Sequence, residues 1–88
     1  MDFRWNEWNT QHIDEHGIEP LEAESVVRRA ARPYPMTSRE GTLLVRGPGR
    51  GGRLLQVVYV LDPDETVYVI HARPLDDDEK RHYRRRFR

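Results

Sequence analysis

Between Thr42 and Arg73 the chain carries three strand-length runs, Thr42 to Arg46, Arg53 to Leu61 and Thr66 to Arg73, rich in Val, Leu, Ile and Tyr. The links between them, Gly47 to Gly52 and Asp62-Pro63-Asp64-Glu65, are turn chemistry, since Gly supplies positive φ and Asp and Pro favour tight reversals. Strands joined by links this short pair as an antiparallel meander, because parallel pairing needs a crossover of a dozen or more residues. Period-2 alternation in the last run puts Tyr68 and Ile70 on one face and Val67, Val69, His71 and Arg73 on the other. His71 and Arg73 therefore share a face at the strand's end.

Upstream the period is helical. Phe3 to Trp5 reads as a short opening strand. Trp5, Trp8, His12, Ile13 and His16 then recur at roughly helical spacing up to Gly17, which is suited to a left-handed helix cap. Glu19-Pro20 starts a second helix whose apolar stripe is Ala23, Val26, Val27 and Ala30, with Glu22 and Glu24 near its positive end. Arg32-Pro33 is expected to end it, because a residue before Pro is pushed out of helical geometry. Pro33 to Glu40 reads as irregular. Asp76 and Glu79 have capping-box spacing, with acids at the start, cations at the end and Tyr83 and Phe87 one turn apart, which predicts a C-terminal helix. The fold class is α+β: a small antiparallel sheet flanked by two N-terminal helices and one C-terminal helix, with residues 1–88 forming one domain.

Composition narrows the chemistry. With no cysteine among 88 residues, disulfide scaffolds, thiolate zinc sites and thiol catalysis are excluded. At 36% hydrophobic and 34% charged the core is thin, and a partner subunit would help it. No apolar run approaches a membrane span, and the opening Met1-Asp2-Phe3-Arg4-Trp5 lacks a signal peptide's basic start and apolar stretch, so a cytoplasmic location is expected. The net charge of zero hides four blocks. Met1 to Val27 carries one Arg against seven acids, Arg28 to Val60 seven Arg against Glu40, Leu61 to Glu79 Arg73 against seven acids, and Lys80 to Arg88 no acid at all. Each block is six charges from neutral, with alternating sign. Fourteen of the fifteen cations are Arg, the side chain whose planar fork grips phosphate oxygens. An Arg-rich genome would give the same count.

Two strings match known patterns by accident. His12-Ile13-Asp14-Glu15-His16 fits the zinc-peptidase string H-x-x-E-H, but no third ligand is evident, and the bland alternative is that both imidazoles line a helix face beside the two Trp. Gly47-Pro48-Gly49-Arg50-Gly51-Gly52 satisfies G-x-G-x-x-G, yet the dinucleotide fingerprint must open a helix and here a strand follows. It is better read as a flexible hairpin loop whose Arg50, with Arg46 and Arg53, could touch phosphates. The tail from Lys80 to Arg88 interleaves Lys80, Arg81, Arg84 and Arg85 with Tyr83 and Phe87. That mixture suits single-stranded RNA, where cations hold phosphates and planar groups stack on bases. A surface for an acidic protein and a solvated helix end are the alternatives.

The two ends of the chain also resemble a family. Trp5-Asn6-Glu7-Trp8-Asn9-Thr10-Gln11-His12-Ile13-Asp14-Glu15-His16-Gly17-Ile18 followed by Pro20-Leu21-Glu22-Ala23-Glu24 is similar to the opening of the BrnT-like toxins, W-[DN]-x-x-N-x-x-H-x-x-x-H-G-I-x-x-E-E-A. Val69-Ile70-His71-Ala72-Arg73-Pro74-Leu75-Asp76-Asp77-Asp78-Glu79-Lys80-Arg81-His82-Tyr83 is similar to the family's close, I-I-S-A-R-x-[AM]-T-x-x-E-x-x-x-Y. The middle, Leu43 to Gly47 and Arg53 to Tyr59, is similar to L-V-x-G…G-R-x-L-x-V-V-Y.

The resemblance implies a RelE-like fold and the toxin of a type II toxin-antitoxin pair, a metal-independent ribonuclease that slows translation and needs no cofactor. It implies as partners an RNA substrate and a small DNA-binding antitoxin (BrnA-like), with no membrane and with a homodimer or a toxin-antitoxin hetero-oligomer both open. It gives Arg73 phosphate stabilisation, His16 an acid or base role, and Glu79 and Tyr83 the helix positions beyond. His71 stands where the family more often has Ser. The Lys of the better-known members is absent, with Trp8-Asn9 in that region and one residue fewer before His16. A non-catalytic RelE-like RNA- or protein-binding module is the alternative.

Overall fold

Asn6 opens the helical part of the chain in the computed structural model, which describes residues 1–87 and leaves Arg88, the last residue of the basic tail, outside the described residues. It follows a two-residue strand, β1 (Phe3–Arg4), and caps α1 (Glu7–Asp14). The Asn6 side chain accepts the Asn9 N–H at 3.1 Å while Asn9 Oδ1 accepts the Asn6 N–H at 2.8 Å, a reciprocal capping box that satisfies two donors otherwise left over at the helix start. The helix is closed by a Schellman motif, with Ile18 N–H donating to the Ile13 carbonyl at 3.2 Å and Gly17 N–H to that of Asp14 at 2.9 Å. Gly17 takes the left-handed conformation the motif requires (φ 69°), and both isoleucines are buried.

Pro20 occupies the first turn of α2 (Pro20–Arg28), and Ala23, Val26 and Val27 face the core. This helix stops earlier than Pro33 alone predicts. Pro33 has no N–H for the Arg29 carbonyl and its ring would clash with it, and the buried stripe already ends at Val27, with Arg28 and Arg29 exposed.

The three expected strands are present as β3 (Leu43–Pro48), β4 (Leu54–Leu61) and β5 (Val67–Pro74), and they pair antiparallel. A further strand, β2 (Met36–Thr37), lies inside the stretch read as irregular and pairs with Leu43 and Leu44. β1 pairs parallel with Val67 and Tyr68, so the sheet is mixed, mostly antiparallel, in the order β1-β5-β4-β3-β2. Two-residue strands carry too little alternation to show as a period.

One face of the sheet, through Val45, Leu55, Val57, Tyr59, Val69 and Ala72, packs against Ile13, Ala23, Val26 and Val27 of the first two helices. The ladder slips between Tyr59, opposite Val69, and Val58, opposite His71. The extra residue, Ile70, reverses the alternation. Val67 and Val69 are therefore buried, whereas His71 and Arg73, expected on their face, stand on the other with Ala72 pointing inward.

After buried Leu75, α3 (Asp77–Arg86) begins at a capping box in which Asp76 accepts the Glu79 N–H at 2.8 Å and Glu79 accepts the Asp76 N–H at 2.9 Å. Glu79 reaches Arg46 and Arg73, whose neighbours Val45 and Ala72 are in the core, so α3 starts on the outer face. None of its residues is buried. Among the described residues no helix is long and apolar enough to cross a membrane.

Candidate functional site

Arg46 on β3, Gln56 on β4 and Arg73 on β5 stand in one cross-strand row. Glu79 is laid over that row from α3. Its carboxylate accepts from Arg73 Nη1 at 2.7 Å and Nη2 at 2.8 Å, and from Arg46 Nη2 at 2.9 Å. Arg46 Nε donates to Gln56 Oε1 at 3.0 Å, and Arg73 Nη1 also donates to the Pro74 carbonyl at 3.1 Å. One acid thus holds two guanidiniums, and the group carries one net positive charge. The hydrogen bonds from Arg73, with that from Asp76 N–H and the charges of both arginines, draw the Glu79 carboxyl down to about 2. Arg73 spends three of its five donors on Glu79 and Pro74, and Arg46 two on Gln56 and Glu79, so each keeps at least two N–H groups for an anion.

Beside Arg73 on the same face lies an imidazole cluster. The His71 ring is centred 6.0 Å from His12 and 5.9 Å from His16. His12 stacks on Trp8 at 4.8 Å, Trp8 faces Tyr68 at 6.4 Å, and the Arg4 guanidinium sits 4.0 Å above Tyr68. The row exists because Trp8 and His12 are one turn apart on α1 and His16 follows in the closing turn, while Asn9 and Ile13 take the inward stripe. Asn9 Nδ2 donates to the Val69 carbonyl at 3.0 Å and to that of Arg4 at 3.2 Å, fixing α1 against β5. Burial, and then the charges of His16, Arg73 and His12, push the His71 imidazole below its ordinary value, which favours its neutral form. No group of three or more His, Asp or Glu side chains among the described residues is arranged to hold a metal ion.

Tyr83 lies one turn beyond Glu79. Burial raises its phenol, with a smaller contribution from Tyr34, which keeps the O–H proton in place at neutral pH. Tyr83 opens onto a cleft of about 490 Å3 between α3 and the β2 edge, lined by Tyr34, Met36, Arg46, Arg85, Arg86 and His82 besides.

The basic segments do not all meet here. Arg46 joins α3, but the hairpin loop folds the other way, over the start of α2. Arg53 donates to Glu22 at 3.2 Å, Arg50 lies 3.5 Å from Glu19, and the Arg50 N–H donates to Glu22 at 2.7 Å. Arg50 and Arg53, expected to touch phosphates, are thus matched to the acids of the first block. Alternation dictates the split: Arg46 points away from the core and the loop wraps over its rim. Arg81 pairs with Asp78, whereas no acid among the described residues pairs with Lys80, Arg84, Arg85 or Arg86.

The structure therefore brings together Arg73, Glu79, Tyr83 and Arg46, with His71 and His16 adjoining. It also adds Gln56, His12, Tyr34, Met36, His82 and Arg86. Gln56 was visible in the sequence as the single polar residue in an otherwise apolar strand. No family model, no curated protein and no solved structure matches the chain. The chemistry of the site itself is what bears on function.

Proposed function

We propose that the chain is a metal-independent ribonuclease, the toxin of a type II toxin-antitoxin pair, of the BrnT-like kind its two ends resemble. The observation that carries this reading is the juxtaposition on β5 of an imidazole, His71, with a guanidinium, Arg73, two residues on, the first flanked by His16 and the second by Arg46. Phosphodiester cleavage by the neighbouring 2′-OH asks for a base, cations for the phosphorane and a donor for the leaving oxygen.

In this assignment His71 takes the 2′-OH proton as the 2′-oxygen attacks phosphorus, with the His16 ring beside it. The free N–H groups of Arg73 and Arg46 bind the non-bridging oxygens. The P–O5′ bond breaks, and the Tyr83 phenol donates to the departing oxygen, leaving a 2′,3′-cyclic phosphate and a 5′-OH. Glu79 is a positioning residue that aims both guanidiniums and lowers their combined charge. The partner implied is a small DNA-binding antitoxin that covers this face.

A second reading, a non-catalytic RNA- or protein-binding module, is favoured by the closure of Glu79 over both guanidiniums, which braces α3 without any substrate. Induced expression and assays on purified protein in EDTA separate the two. A ribonuclease arrests growth and releases cyclic-phosphate ends. Arg73→Ala then lowers cleavage roughly 100- to 1,000-fold, the usual loss for one oxyanion donor, with hydrogen-exchange protection of β4 unchanged. Full activity of Arg73→Ala contradicts the assignment, and binding with no cleavage by the parent chain favours the module.

A further inference from the structure

The cleft beside Tyr83 has a composition of its own. No carboxylate lines it, although the chain has fifteen acids. Three guanidiniums reach it, and those of Arg85 and Arg86 have no acid partner among the described residues. Its aromatic lining is Tyr34 and Tyr83, backed by Phe87, whose ring centre lies 4.5 Å from that of Tyr83 and 6.4 Å from that of Tyr34, at 21° to the latter. Tyr34 comes from the loop after α2, Tyr83 from α3 and Phe87 from the residue that follows α3, so the rings come from two separate parts of the chain. Its volume of about 490 Å3 falls within the roughly 300–1,000 Å3 of small-molecule sites. Planar rings next to unpaired guanidiniums, with no acid among the lining residues, are the two halves of single-strand recognition: a stacking surface for a base and donors for the backbone.

We propose that this cleft holds one nucleotide of single-stranded RNA, its base against the rings of Tyr34 and Tyr83 and its phosphate on Arg85 and Arg86. Arg46 lines the cleft and also touches Glu79, so the bound nucleotide neighbours the phosphate held at Arg73. The site discriminates by strandedness, because a duplex keeps its bases stacked on one another and offers none to the rings. The proposal rests on the RNA reading above but needs no cleavage.

The test is fluorescence anisotropy of the full chain with a labelled ten-nucleotide RNA carrying 2′-fluoro groups, which cannot be cut. The wild type is expected to bind the single strand more tightly than the same sequence as a duplex. Tyr34→Ala is expected to weaken single-strand binding roughly tenfold or more, the usual loss for one stacked base, and Tyr34→Trp to restore it. Since Tyr34 also packs on the core, Arg85→Glu with Arg86→Glu, both exposed, is the variant that leaves the interior alone and is expected to abolish binding. Wild-type affinity in that double variant, equal affinity for the duplex, or equally tight binding of a poly-glutamate peptide would overturn the proposal. Single-strand binding lost in these variants, with no cleavage of ordinary RNA by the wild type, upholds the cleft while refuting the ribonuclease. Cleavage with unaltered KM in the double variant does the reverse.

Discussion

Replacing Glu79 by Gln isolates the charge that fastens α3 to the sheet. Gln keeps an acceptor for the Asp76 N–H, so the capping box survives, but it places an NH2 group toward two guanidiniums in place of a carboxylate oxygen. The carboxyl falls from 4.5 to about 2 on folding, which at 1.36 kcal/mol per unit is roughly 3 kcal/mol. Arg73 and Arg46 are 30% and 23% exposed, so solvent screening reduces this, and we expect about 2 kcal/mol, a factor of roughly 30. The sign follows from a depressed carboxyl: the stabilisation is complete above pH 4.5 and disappears as the pH falls toward 2. Because no α3 residue is buried, the loss should surface as opening of the helix rather than unfolding of the sheet. Hydrogen exchange followed by mass spectrometry at pH 7 should show peptides from residues 75–87 losing about 30-fold in protection, with β4 unchanged. Far-ultraviolet circular dichroism from pH 7 to pH 2 should show the two proteins converging in acid. Equal protection of α3 at pH 7, or a difference that persists undiminished at the lowest pH, refutes the reasoning.

Asn9→Ala should destabilise the fold by about 2–4 kcal/mol in urea titrations, since it removes a fully buried side chain that partners the Val69 carbonyl in the interior and the Arg4 carbonyl and Asn6 N–H nearer the surface. Gly49→Ala should cost about 1–3 kcal/mol by the same measurement, because a Cβ there would meet Glu22 Oε2 and Leu55 Cδ1, both at 2.6 Å. For His71 the folded pKa is depressed below 6.5, so the unfolded chain takes up the proton first and stability falls as the pH drops below 6.5. His71→Gln should flatten that part of the stability profile, and nuclear magnetic resonance titration of the wild-type imidazole should place its midpoint below 6.5.

The sheet's interior strands were legible because each is long enough to show its alternation and each link has turn chemistry. The Asp76 and Glu79 box was legible for the same reason: a cap is written within four residues. What escaped depends on residues far apart in sequence. The extra residue at Ile70 is fixed by pairing with β4, and without it Val67 and Val69 are placed on the same face as His71 and Arg73, although the latter two do remain together. Nothing local shows that Glu79, besides capping its own helix, would close over Arg46 from a strand 33 residues earlier. The destination of Arg50 and Arg53 likewise turns on which rim of the sheet the loop covers, and the docking of Tyr34 on α3 on how the segment after α2 returns to the edge.

The stacking of Trp8 on His12 gives the protein an optical property. These rings are 4.8 Å apart and nearly parallel, so whatever displaces the imidazole also changes the surroundings of the indole. Trp5, the other indole, is hydrogen bonded to Glu24 at 2.8 Å and sits apart from the imidazoles, while Trp8 is 54% exposed. In a Trp5→Phe background the remaining emission becomes an intrinsic, label-free report on the surroundings of Trp8 on this face, readable in the same cuvette in which RNA is added.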